Sequence, residues 1–201
     1  MNPRAAFFDA IADKWDGWDD LVTLGRRMSA GLSRMGLGPE ETVLDIGCGI
    51  GNLTAALLAK LGQAGRVVAV DISPRMLDVA RGKIRDPRVT WHVAGAESLP
   101  IPDAIADRIM CFSVWPHLRD QGAVLWEIAC VLRPAGNLHI WHLSPKEKIN
   151  HIHTSSDGPI SGDLLLPASE TAASLRNAGF EVLEMVDDAE QYLVSARKPA
   201  G

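Results

Sequence analysis

The sequence predicts an α/β protein built on a seven-stranded mixed sheet, five strands parallel plus a C-terminal antiparallel hairpin, with helices on both faces. Three observations predict it. From residue 42 onward, short apolar runs alternate with helical patterns, which implies right-handed βαβ units and a parallel sheet. Near the C-terminus, strand-like runs at 180–186 and 191–196 are joined by Asp187-Asp188-Ala189-Glu190. That link is too short for a helical crossover, so the pair must be antiparallel. Finally, 201 residues with 47% apolar content suit a single domain with a buried core.

The elements follow in order. Residues 1–36 read as two helices forming a cover. Phe7, Phe8, Ile11 and Trp15 share one face, and Leu21, Leu24, Met28, Leu32 and Met35 follow at spacings of three and four before Gly36. Residues 42–143 read as the ligand-binding core. Its strands are 42–46, 66–71, 89–93, 107–114 and 137–143. Helices run from the glycine loop to about Leu61, from the N-cap Ser73 and Pro74 towards Ile84, and from about Leu118 to Leu132. Residues 144–168, rich in Ser, Gly, Pro, His and Asp, read as an irregular lid or substrate segment. A helix at 169–178 and the hairpin complete the span 169–198.

Charge and composition exclude several functions. Lys+Arg number 20 against Asp+Glu 25, for a net charge of -5, and no basic run reaches five residues. Nucleic-acid binding driven by phosphate neutralisation is not expected. No apolar run spans a bilayer, and Asp9 and Asp13 interrupt the region where a secretory signal would need an unbroken apolar stretch. Cys48, Cys111 and Cys130 are odd in number and widely spaced with no CxxC, which fits a reducing, cytoplasmic setting.

The most informative stretch is Val43-Leu44-Asp45-Ile46-Gly47-Cys48-Gly49-Ile50-Gly51-Asn52. A strand enters a glycine turn and a helix leaves it. Glycines permit positive φ and close approach of a ligand to the backbone, and ligands of parallel sheets lie beyond the carboxyl ends of strands. Asp71, about twenty residues past Gly51, ends the second strand and suits a ribose diol. The spacing is GxGxG, not GxGxxG. Asp45 before the first glycine would repel a pyrophosphate and attract an ammonium group. A nicotinamide cofactor, or a turn with no ligand, remain the alternatives.

With these residues the chain resembles the class I S-adenosylmethionine-dependent methyltransferases of Rossmann-like fold, in the small-molecule branch that includes the ubiquinone/menaquinone-type enzymes. The resemblance covers residues 40–198. It is carried by 43–51, by 67–77 with Asp71-Ile72-Ser73-Pro74, by Ala94-Gly95-Ala96-Glu97-Ser98-Leu99-Pro100, and by Val131-Leu132-Arg133-Pro134-Ala135-Gly136-Asn137. The opening Phe7-Phe8-Asp9 with Trp15-Asp16 resembles the segment that covers the cofactor. The resemblance implies S-adenosyl-L-methionine as cofactor. Asp45 and the loop glycines Gly47, Gly49 and Gly51 would hold the methionine end. Asp71 would accept both ribose hydroxyls, Ile72 and Met76 would flank the adenine, and Ala96 would offer its N–H to the ring with Glu97 at the rim. Ser113 would lie under the methionine portion. Where relatives carry Asp before the Ala-Glu pair, this chain has Gly95, which removes an acceptor for the adenine amino group. A cofactor-binding module acting through a partner is the non-catalytic alternative.

The implied methyl acceptor is a small molecule, and a general base is needed only if its nucleophile carries a proton. Of six histidines, His92 and His139 lie within strands as packed residues, whereas His117 and His142 follow the fourth and end the fifth strand and are the candidate bases. Trp115 and Trp141 form either an aromatic wall or ordinary core. If 151–153 is extended, His151 and His153 point the same way and, with His142, Asp157 or Asp163, outline a metal site; no established ligand spacing matches, and no metal is expected. Cys48 reads as packing beside the cofactor.

Overall fold

Residues 2–200 are described from a computed structural model of the chain. The strands are β1 (Thr42–Ile46), β2 (Arg66–Asp71), β3 (Val89–Val93), β4 (Ala106–Phe112), β5 (Leu132–His142), β6 (Glu181–Asp187) and β7 (Tyr192–Arg197), and they form a seven-stranded mixed sheet. The helices are α1 (Pro3–Ile11), α2 (Leu21–Arg34), α3 (Asn52–Lys60), α4 (Pro74–Lys83), α5 (Gln121–Val131), α6 (Lys146–Thr154) and α7 (Ala168–Asn177). The chain divides into two compact units, Met1–Gly95 and Ala96–Gly201.

In the first unit β1 pairs parallel with β2, and β2 with β3. Val43, Leu44 and Ile46 are buried, as are Val67, Ala69 and Val70, so these short apolar runs behave as strands covered on both faces. Helix α4 begins as its sequence dictates. Ser73 accepts from the Met76 N–H at 3.1 Å and Pro74 supplies the fixed φ of a first helical residue. The N-terminal cover departs from the two helices expected. Residues Ala12–Trp18 form a 3-10 segment between α1 and α2, so Trp15 sits outside α1. It still packs with Phe8 and Ile11 against the buried Ala12, Ile50 and Met76.

In the second unit β4 pairs parallel with β5, β5 pairs antiparallel with β7, and β7 pairs antiparallel with β6. The terminal strand thus inserts between β5 and β6. Strand β5 starts at Leu132, five residues earlier than its apolar pattern suggests, and the register with β4 shifts between Ala106 and Arg108. The Arg133-Pro134-Ala135-Gly136 stretch ahead of the expected strand is held by Lys198, since the Ala135 N–H donates to the Lys198 carbonyl at 3.0 Å.

The larger departure lies at 144–168. The expected irregular segment contains α6, and its return leg is fastened back to it. The Asn150 side chain accepts from the Leu165 N–H at 2.8 Å and donates to the Leu165 carbonyl at 3.0 Å, an imitation of a strand pairing by one amide. Residues two apart on a helix lie on opposite faces. His153 is therefore buried and His151 exposed, which overturns the shared orientation on which a metal site with both was drawn.

The interior polar residues of this unit are satisfied in pairs. A guanidinium only donates, so Arg108 Nη1 must give its proton to His139 Nε2, and His139 Nδ1 then donates to Ser195 Oγ at 2.8 Å. Burial, with Arg108 adding to it, pushes His139 down to about 3 and keeps it a neutral structural residue. Tyr192, wholly buried, donates to Thr171 Oγ1 at 2.7 Å and fastens α7 to β7. Burial pushes its phenol up to about 12. Tyr192→Phe leaves the buried Thr171 hydroxyl without its donor and is expected to cost about 1 kcal/mol in urea denaturation. An unchanged midpoint would show that the hydroxyl pair adds nothing.

Candidate functional site

The glycine loop is built from three left-handed residues, Gly47, Gly49 and Gly51, with φ of 69°, 53° and 86°. The Gly47 and Cys48 N–H groups both donate to the Val70 carbonyl, at 2.8 and 3.0 Å, which ties the loop to the end of β2. The glycines differ in what surrounds them. A Cβ on Gly51 would meet Ile84 Cδ1 at 2.8 Å and Ala80 Cβ at 3.2 Å, so Gly51 lets α3 start hard against α4. A Cβ on Gly49 would meet nothing within 4 Å, so the backbone there faces open space.

Two buried carboxylates end the adjacent strands. Asp71 Oδ2 accepts from the Gly49 N–H and Oδ1 from the Ser73 N–H, both at 2.8 Å. An ionised carboxylate offers about four lone-pair sites, so two remain after the backbone is served. Burial raises the Asp71 pKa, while those backbone donors work against the shift. Asp45, 1% exposed, accepts from Thr54 Oγ1 at 2.7 Å through Oδ2. Its Oδ1 has no hydrogen-bond partner among the described residues. Burial pushes Asp45 up to about 7, with the charge of Asp71 adding to it. The Cys48 thiol is buried and shifted well above its ordinary range, first by burial and then by these carboxylates, so it packs and is not a nucleophile.

The N-terminal cover is fastened to the same region. Asp9 Oδ1 accepts from Ser73 Oγ at 2.5 Å and from the Arg75 N–H at 3.0 Å, which places a carboxylate at the positive end of α4. Arg75 pairs with Asp13, and Lys83 with Asp16. Met76 is buried beneath Phe8, Ile11 and Trp15, and Ile72 is half-buried. The structure thus brings Asp45, the three glycines, Asp71, Ile72 and Met76 together around one loop. Sequence reasoning missed Thr54, although it stands in the first turn of the helix leaving the loop, a signal that was available. It placed Asp9 in the covering segment but not against Ser73, which lies 64 residues away.

In the second unit Ala96 is buried, while Glu97 is exposed. Ser113 follows β4 with φ 53°, a left-handed conformation unusual for a residue with a Cβ, and its N–H donates to the Trp141 carbonyl at 2.9 Å. Trp115 and Trp141 are both fully buried, and the Trp141 ring lies 5.0 Å from that of Phe112, so they belong to the core. His117, in the 3-10 turn after β4, pairs through Nδ1 with Asp163 Oδ2 at 2.8 Å. Its ring lies 4.7 Å from that of His153. His142 is wholly buried against the edge of Tyr192, with no partner for Nε2 among the described residues. Burial, then the neighbouring His117 and His153, push it down to about 3. It is neutral throughout the physiological range.

The position of Asp45 makes stability depend on pH. In the fold it holds its proton up to about 7, whereas at the ordinary 3.8 the unfolded chain has already begun to release it. Between those values the folded state binds more protons, so stability falls as pH rises through the window and levels off above it. Against Asp45→Asn, which does not titrate, the wild type should lose on the order of 4 kcal/mol across that window. Urea denaturation of both proteins over a pH series checks this, and parallel curves would contradict it.

Comparison with known proteins accords with this geometry. A family described as a methyltransferase domain matches residues 43–136. Methyltransferase GfsG of Streptomyces halstedii is 31% identical over 185 residues, which cover 86% of this chain and 65% of that protein, so the chain spans just under two thirds of this relative. The ubiquinone/menaquinone biosynthesis C-methyltransferase UbiE of Hahella chejuensis is 30% identical over 181 residues, covering 83% of this chain and 72% of that protein. A crystal structure of a SAM dependent methyltransferase from Aquifex aeolicus superposes with a TM-score of 0.76 at 24% identity, covering 92% of this chain and 97% of that one, a likeness of fold. The chain belongs to the S-adenosylmethionine-dependent methyltransferase family.

Proposed function

We propose that the protein binds S-adenosyl-L-methionine through its glycine loop and methylates a small-molecule acceptor. The observation that carries this reading is the pair of buried carboxylates at the ends of β1 and β2. Asp45 Oδ1 is a buried acceptor without a donor, an arrangement costly in itself and suited to the ammonium of the methionine end. Asp71 is oriented by the Gly49 and Ser73 N–H groups and keeps lone pairs for the two hydroxyls of a ribose. The open space at Gly49 leaves room for close approach. Ile72 and Met76, both in the first unit, offer apolar surface to an adenine. When bound, the cofactor supplies an electrophilic methyl group on a sulfonium.

The chain's remaining task is to hold the acceptor and take its proton. Of the two histidines named from the sequence, His117 has a carboxylate partner and is the proposed base. His142, held neutral by burial, serves as a hydrogen-bonding group facing the acceptor. Among the described residues no helix is long and apolar enough to cross a membrane. A cytoplasmic setting is supported by the odd number and wide spacing of Cys48, Cys111 and Cys130, with no CxxC pair.

S-adenosylhomocysteine should bind and raise the unfolding temperature, since a ligand of the native state adds RT ln(1 + [L]/Kd). Asp71→Ala should weaken binding by at least about tenfold, the loss of charged hydrogen bonds of about 1.5–3 kcal/mol each. Equal affinity in both proteins by calorimetry would remove the ribose assignment, and stabilisation by a nicotinamide dinucleotide instead would remove the cofactor.

A further inference from the structure

We propose that Asp163 is the positioning residue for His117, fixing its ring with Nδ1 protonated so that Nε2 is the proton-accepting atom, and that the acceptor is one whose attacking atom must lose a proton. The inference rests on His117 being the base of the reaction proposed above.

The geometry is specific. An ionised carboxylate only accepts, so in the 2.8 Å pair between His117 Nδ1 and Asp163 Oδ2 the proton belongs to Nδ1. The neutral ring then has its lone pair on Nε2. Both side chains are largely withdrawn from water, at 12% and 6% exposed, which strengthens the bond. Each partner is also fixed from behind. The His117 N–H donates to the Val114 carbonyl at 2.8 Å, closing the 3-10 turn that follows the left-handed Ser113. The Asp163 N–H donates to the Ile160 carbonyl at 2.9 Å, and two residues on, Asn150 grips both polar groups of Leu165. His153 completes the arrangement: its Nδ1 donates to the Asp163 carbonyl while its ring packs on that of His117. The same residue thus serves one histidine with its carboxylate and the other with its backbone.

The charges around His117 support a proton-accepting role. The titratable groups recorded around it are Asp163, His153 and the neutral His142. When Nε2 takes a proton, the imidazolium stands beside the Asp163 carboxylate, 2.8 Å away and largely withdrawn from water. In the balanced step, the acceptor's lone pair forms the new bond to the methyl carbon and the carbon–sulfur pair returns to sulfur. The acceptor's proton passes to Nε2 and then to water. A thioether or tertiary amine has no proton to give and makes no use of this pair. A phenolic or enolic hydroxyl, or an acidic carbon, does.

The test is long-range proton–nitrogen NMR of the histidine-labelled full chain, with no acceptor present. The wild type should show His117 as the neutral Nδ1–H tautomer. Asp163→Ala should mix the tautomers. Asp163→Asn, whose amide oxygen still accepts, should restore the Nδ1–H form. With S-adenosylmethionine and a set of simple phenols, wild type should release S-adenosylhomocysteine, and Asp163→Asn should lower kcat by about 10–100-fold with little change in KM. An Nε2–H tautomer in the wild type, or one indifferent to Asp163→Ala, would overturn the positioning role. Product from thioethers or tertiary amines, with none from phenols, thiols or enolisable carbon acids, would overturn the acceptor class. Failure of S-adenosylhomocysteine to bind in calorimetry would overturn the cofactor reading instead, and the tautomer result is independent of it.

Discussion

The carboxylate of Asp71 is the constraint on which the first unit depends. One oxygen holds the loop after β1 at Gly49 and the other holds the loop after β2 at Ser73. Two βα units are thereby registered at their ligand ends by a single side chain, and α4 is set at the same time, because Ser73 is its N-cap. The N-terminal cover exploits that arrangement. Asp9 reaches Ser73 Oγ and the Arg75 N–H, so the segment carrying Phe8 and Trp15 is fastened by the helix it covers. The cost is electrostatic. Burial raises both Asp45 and Asp71, and the charge of Asp71 adds to it for Asp45 as that of Asp9 does for Asp71. A cation next to Asp45 relieves both the missing donor and the like-charge strain, and so ligand binding and the stability of the loop share one origin.

The second unit shows how partners decide what a histidine is. His139 faces a guanidinium at Nε2, where it can only accept, and a serine hydroxyl at Nδ1, which makes it structural. His153 faces a carbonyl and can only donate. His117 faces a carboxylate, which fixes its tautomer. His142 faces no partner at Nε2 and is held neutral by burial. Residue type alone ranks these four equally for acid–base chemistry; the donor or acceptor opposite each ring separates them.

Much of the fold was legible in the sequence because its signals are local. β1, β2 and β3 fall on their apolar runs, Ser73-Pro74 opens α4, and the short acidic link forces the final hairpin to be antiparallel. The glycine loop and Asp71 were legible because close backbone approach restricts the residue types that fit. α6 was not, because Lys-Glu-Lys-Ile-Asn-His-Ile-His carries little apolar periodicity: Ile149 and His153 face inward while Ile152 is exposed. The helix is held by tertiary bonds from Asn150 and His153, which no window of sequence contains. The start of β5 was hidden for the same reason, since Arg133–Gly136 carries no apolar run and is extended only where Lys198 pairs beside it. Asp163 was weighed only as a metal ligand. Its actual partner, His117, lies 46 residues away and is joined to it through the folded segment.

The central claim is that Asp45 meets the cofactor as a carboxylate although it is largely protonated just below neutrality. Titration of S-adenosylhomocysteine near pH 6.5, in buffers of different ionisation enthalpy, measures this directly. The ammonium must displace the proton from Asp45, so the account predicts a heat of binding that varies with buffer and corresponds to proton release, and no such variation in Asp45→Asn. Binding with a buffer-independent heat in the wild type would contradict it.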